Sequence, residues 1–232
     1  MKIFLGLAGF ACGAILASYA GLLAYRLPRG KSTWGRSRCE ACGRALACWE
    51  LIPLMGFLLV KGRCRRCGRG IPLRYPLAEL LLGVLAAWLM LRSVSLLAYF
   101  KGMVILTLAL AAAMSDLEKR VIPDQVSIAL AVAGVFLWWL SANWLAPVGG
   151  ALLALPLVLL AAFYPQGLGG GDAKFLPALA AALGVAAGAQ AMSFAFISGG
   201  ACALALRVSG RRLAGLPLAP FLFAGTVFAL LH

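Results

Sequence analysis

A chain of 232 residues in which 63% are hydrophobic and 12% charged, with a mean hydropathy of +0.97, has too little polar surface to clothe a water-soluble globule. That excludes the soluble enzyme and soluble binding-module classes. The net charge of +14 could suit phosphate binding, but the cations flank apolar runs and no nucleic-acid-reading motif accompanies them. They are read as topology and anionic-lipid signals, with a bilayer and no nucleic acid as partner.

The expected fold is all-α, a polytopic membrane bundle of about eight spans at roughly 3–25, 77–92, 97–115, 125–141, 145–164, 174–190, 191–207 and 215–231. The closely joined pair around Gly184 to Gly188 can be divided differently, which would leave seven. The first run follows Lys2 and holds the small residues Ala17, Ser18 and Ala20 that a cleaved secretory signal requires. Its main cations, Arg26, Arg29, Lys31, Arg36 and Arg38, come after the apolar run, so it is read as a retained helix with its N-terminus outside.

Of the 21 Lys and Arg residues, twelve lie between Arg26 and Arg74, which assigns that segment to the cytoplasm. Threading the spans from there puts Lys119, Arg120, Lys174, Arg207, Arg211 and Arg212 on the same side and leaves Lys2, Arg92 and Lys101 outside. The expected division is a first transmembrane helix at 1–25, a cytoplasmic metal-binding loop at 26–76 and a transmembrane bundle at 77–232.

Inside the basic loop stand Cys39-Glu-Ala-Cys42 and Cys64-Arg-Arg-Cys67, each followed by a glycine, Gly43 or Gly68. Two such knuckles supply four thiolates at tetrahedral spacing, so a structural zinc site is expected on Cys39, Cys42, Cys64 and Cys67. Two disulfides are the alternative, which a reducing cytoplasm disfavours. Cys12 and Cys202 are expected to pack in the core, and Cys48 is a loop thiol without a partner.

Acids are scarce, seven in all. Asp116 ends an apolar run in Ala113-Met-Ser-Asp-Leu-Glu-Lys-Arg-Val-Ile-Pro-Asp124, and Asp172 stands in Gly167-Leu-Gly-Gly-Gly-Asp-Ala-Lys174 at the head of the sixth span. Two intervening spans return the chain to the same membrane face. Acids beside hydrocarbon usually face a bundle interior or an aqueous cavity. A close pair of carboxylates suits peptide hydrolysis, one member activating water while the protonated member polarises the scissile carbonyl.

Gly169, Gly170 and Gly171 would let a substrate backbone lie against the chain, or would simply form a flexible loop. Asp124 is placed as a helix N-cap or as a substrate-binding group. Lys174 either acts on Asp172 or reaches the headgroups. Glu118, Lys119 and Arg120 read as a solvated turn, and Glu79, entering the second span, needs a partner or a polar pocket.

Taken with Tyr25-Arg-Leu-Pro28, Trp49-Glu50, Ile52-Pro53, Gly62-Arg-Cys64 and Arg74-Tyr-Pro-Leu-Ala-Glu-Leu80, these motifs resemble the type IV prepilin peptidases, membrane aspartyl peptidases of the GxGD type. The likeness covers nearly the whole chain. It implies that Asp116 and Asp172 are the catalytic pair, that the substrates are prepilins or the pseudopilins of type II secretion, and that the enzyme lies in the bacterial inner membrane. It also implies a second activity, N-methylation from S-adenosylmethionine. Gly21 and Leu51 stand where many relatives carry asparagine, a departure that bears on methyl transfer rather than on cleavage. Other readings are a GxGD protease with different transmembrane substrates, a proton-coupled transporter using the two aspartates, and a zinc-braced scaffold of a secretion machine without catalysis.

Overall fold

In a computed structural model, residues 1–163, 169–209 and 215–232 are described, and their regular structure is helical apart from two isolated β-bridges. Gly167 and Leu168 of the glycine-rich approach to Asp172, and Arg211 and Arg212 of the topology reading, lie outside the described residues. The chain divides into two compact units, Met1–Tyr99 and Phe100–His232.

The first unit is built on α1 (Lys2–Arg26) and α3 (Arg74–Arg92), joined by a loop that carries a 3-10 turn at Cys48–Leu51 and the short α2 (Met55–Leu59). The buried face of α1 is made of small residues, Gly9, Gly13, Ala17, Ala20 and Ala24, three or four apart. That spacing aligns them on one side of a helix and lets two backbones approach closely. A Cβ on Gly13 would collide with the Leu82 carbonyl oxygen and the Ala86 Cβ, and one on Gly9 would lie 2.9 Å from the Ala86 oxygen. Buried Leu82, Gly83 and Ala86 form the matching face of α3.

The second unit holds α4 (Leu96–Lys119) from Phe100 onward, α5 (Asp124–Leu140), α6 (Leu145–Phe163), α7 (Gly170–Leu183), α8 (Val185–Val208) and α9 (Ala219–Leu231). At its centre is α7, buried from Phe175 to Leu183 except at the half-buried Pro177, with α5, α6 and α8 against it. Glycines again set the distances: a Cβ on Gly134 of α5 would lie 2.7 Å from the Ala182 Cα, and one on Gly150 of α6 would overlap the Ala180 carbonyl. Trp138 of α5 donates its indole N–H to the Ala182 carbonyl at 2.9 Å.

Eight of the described helices have 13 residues or more, in step with the expected eight spans. By length and composition α1, α3, α4 and α8 can cross a bilayer, whereas α5, α6 and α9 are shorter apolar helices. One division differs from expectation. The predicted spans 174–190 and 191–207 are instead α7 and α8, separated at Gly184, whose φ of +82° ends one helix and starts the next. A side chain there would be strained by that φ and would meet the Trp138 ring at 2.9 Å. The 14 residues of α7 reach only about 21 Å at 1.5 Å per residue, so its flanks must be covered by neighbouring helices rather than by lipid along a full span.

Candidate active site and metal centre

Asp116 sits in the last turns of α4 and is 7% exposed. The turn beyond it is closed by local bonds: the Arg120 N–H, at a φ of 54°, donates to the Asp116 carbonyl at 2.8 Å, and the Ser115 hydroxyl donates to the Val121 carbonyl at 2.6 Å. The Asp116 carboxylate accepts the Ala219 N–H at 3.0 Å. An acid therefore occupies the N-terminal end of α9, where free amides and the helix dipole favour an anion. Proline at positions 217 and 220 brackets that helix start. The link to Asp116 is 103 residues long in sequence and has no local signature.

Asp172 lies in the first turn of α7, close enough to Asp116 for the two carboxyl groups to feel each other's charge. Its Oδ1 is buried and has no hydrogen-bond partner among the described residues. Gly169 precedes the helix, and a Cβ there would come within 3.2 Å of the Asp172 Oδ2; a Cβ on Gly171 would meet Ile122 at 3.3 Å, whereas one on Gly170 would meet nothing. Gly171 thus lets α7 start against the chain that leaves α4, and Gly170 faces none of the described residues.

Lys174 is committed elsewhere. Its ammonium makes a forked ion pair with Asp124, 3.0 and 2.8 Å to the two carboxylate oxygens, and both side chains are more than half exposed. Asp124 is not the N-cap of α5: Pro123 occupies that position and Asp124 falls in the first turn. The pair ties the start of α5 to the start of α7 beside the acids. Residue patterns did not disclose it, because the partners are 50 positions apart.

In the first unit, Cys39, Cys42, Cys64 and Cys67 bring their sulfurs within 4.8 Å of one another. The Cys39–Cys67 and Cys42–Cys64 separations are each 3.9 Å. A tetrahedral ion at about 2.3 Å from each thiolate has sulfurs about 3.8 Å apart, whereas a disulfide needs about 2.05 Å, so the group fits a metal. The two knuckles repeat one fold. In each, the first cysteine donates its N–H across the turn, to Arg44 at 2.8 Å or Arg69 at 2.9 Å, and a glycine of positive φ, Gly43 or Gly68, donates back to the cysteine carbonyl.

Amides of Cys67 and Arg66 point at the Cys64 sulfur and bring its thiol down to about 6, towards the thiolate a metal requires. Arg44 makes a 2.7 Å ion pair with Glu50, which also accepts the Ala47 N–H at 2.7 Å; the guanidinium holds the Glu50 carboxyl below the usual carboxylate range. Glu79, 8% exposed, accepts the Leu54 N–H at 2.7 Å. Cys48 is exposed, and Cys12 and Cys202 are only half-buried rather than packed in the core.

Apolar helices able to cross a bilayer, a four-thiol cluster and two acids within each other's field define a polytopic integral membrane protein with a buried acid, Asp116, beside a half-buried one, Asp172. Residues 11–93 match the bacterial peptidase A24 N-terminal domain and residues 103–204 the type IV leader peptidase family. The prepilin leader peptidase/N-methyltransferase of Bacillus subtilis (strain 168) is 34% identical, over 96% of this chain and 92% of the relative. Proteins of the same description from Burkholderia pseudomallei (strain 1026b) and Klebsiella pneumoniae are 37% and 36% identical, over 82% and 78% of this chain and 65% and 84% of theirs. The chain belongs to the type IV leader peptidase family. No solved structure matches it.

Proposed function

We propose that the protein is an aspartyl endopeptidase of the bacterial inner membrane that removes the leader from type IV prepilins or pseudopilins, with Asp116 and Asp172 as its catalytic pair. The observation that carries this reading is the meeting of α4 and α7 ends: a buried acid bonded to the α9 amide and, within its field, a second acid with a buried oxygen left without a partner. The substrate's apolar helix stays in the bilayer while the leader lies in the cytosol. Water held between the acids loses a proton to the ionised carboxylate as it adds to the scissile carbonyl, and the protonated carboxyl supplies a proton to the carbonyl oxygen. The tetrahedral intermediate then breaks its C–N bond as the nitrogen takes up a proton, and no covalent enzyme intermediate forms.

Around the acids, Gly170 admits the substrate backbone, Gly169 and Gly171 let α7 start close to its neighbours, and the Lys174–Asp124 pair fixes the helix starts. Glu79 tethers the loop to α3 through the Leu54 N–H. Zinc held by Cys39, Cys42, Cys64 and Cys67 braces the loop, since four thiolates leave no open position for chemistry. The charge distribution supports a periplasmic N-terminus, a cytoplasmic loop at 26–76 and the peptidase bundle at 77–232. S-adenosylmethionine would supply the methyl group for N-methylation, and the described residues assign it no site.

The test is cleavage of a purified prepilin by the detergent-solubilised protein, its Asp116→Asn variant and its Asp172→Asn variant, with the product N-terminus read by mass spectrometry. Loss of cleavage in both folded variants is expected. A methyl added to the wild-type product would establish the transferase. Unchanged cleavage in either variant would overturn the acid-pair mechanism.

A further inference from the structure

The loop of the first unit carries an unpartnered surface that the acid pair does not use. Leu51, Ile52, Met55, Leu58 and Leu59 are between 41% and 64% exposed, an apolar patch on and just before α2. Immediately after it come Lys61, Arg63, Arg65, Arg66 and Arg69, all exposed. The loop's two acids are engaged elsewhere, Glu50 by Arg44 and Glu40 by the Tyr75 hydroxyl. Patch and cations form one piece: the Gly62 N–H donates to the Phe57 carbonyl at 2.9 Å, the Ile71 N–H to the Gly62 carbonyl at 2.8 Å, and the Phe57 ring packs under Gly62.

The depth of this piece is set by Glu79, which holds the Leu54 N–H at the start of α2. Glu79 is five residues inside α3 from Arg74, about 7.5 Å along the axis. The start of α2 is therefore anchored below the charged end of α3, a helix able to span a bilayer, at the level where apolar side chains of a surface helix enter the headgroup–acyl boundary.

We propose that residues 51–69 dock on an anionic phospholipid surface, Leu51 to Leu59 immersed in the boundary of the leaflet and Lys61 to Arg69 on its phosphates. The metal knuckle then rides on the membrane beside α1 and α3 rather than standing free in water. This rests on the membrane embedding of those helices and is independent of how the acids act.

The experiment uses the full chain in nanodiscs of phosphatidylcholine alone or with about one third phosphatidylglycerol, where each cation near the surface contributes about fivefold to attraction. Amide exchange across 51–69 is expected to slow in the anionic discs and to speed up again at high salt. It should also speed up in a variant carrying K61Q and R63Q, which should keep its metal and its cleavage of prepilin in detergent. With p-benzoylphenylalanine in place of Leu58, irradiation should attach lipid. Exchange indifferent to lipid charge, salt and the two replacements would overturn the proposal, as would cross-linking of Leu58 to a second copy of the chain or to nothing.

Discussion

Asp116 has an amide donor and Asp172 has a buried oxygen with none, and this asymmetry comes from the first residue of α9. Ala219→Gly retains that N–H, whereas Ala219→Pro removes it and also presses on Leu218, whose αR backbone disfavours a following proline. On the proposed acid-pair mechanism, loss of one donor to Asp116 is expected to lower kcat by about 100-fold, with KM nearly unchanged, in the proline variant alone. Equal rates for the two variants would remove the amide from the mechanism. In the loop, Arg44 depresses the Glu50 carboxyl. Its stabilising effect is therefore full above the unfolded value of about 4.3 and is lost as the pH falls through the lower folded value. Amides of Ala47 to Leu51 should exchange faster in Glu50→Gln than in wild type at pH 7, and the difference should vanish in acid. A persistent difference at low pH would assign the effect to shape rather than charge.

Small residues decide how closely the helices approach. Gly13 against Leu82, Gly150 against Ala180 and Gly225 against the Ala191 carbonyl leave no room for a Cβ, and tight apposition of this kind holds helices together where lipid removes the hydrophobic drive. Gly13→Val should separate α1 from α3 and cost about 1–3 kcal/mol, read as a lower thermal midpoint in detergent, while Gly170→Ala, which meets nothing, should leave the midpoint unchanged. Hydropathy located α1, α3, α4 and α5 to within a few residues because each apolar run is bounded by charge, proline or turn residues. It misplaced the boundary between α7 and α8 because the run is apolar throughout and only the φ of Gly184 marks the break.

Across the chain, the thiol cluster and the acids belong to different compact units. Metal analysis should return about one zinc per chain, lost in Cys39→Ser or Cys64→Ser, and chelation should raise exchange in the loop while the bundle keeps its helicity; fully structured, metal-free protein would remove the site. Membrane class, helix count and the four thiols were legible in the sequence, because hydropathy and cysteine spacing are local or compositional properties, and the scarcity of acids singled out Asp116 and Asp172 as candidates. Which groups face those aspartates was not. The Ala219 amide, the Lys174–Asp124 pair and the Leu54 bond to Glu79 each join positions 25 to 103 residues apart. Such partners are chosen by how helices pack, and packing is a property of the folded chain rather than of any segment within it.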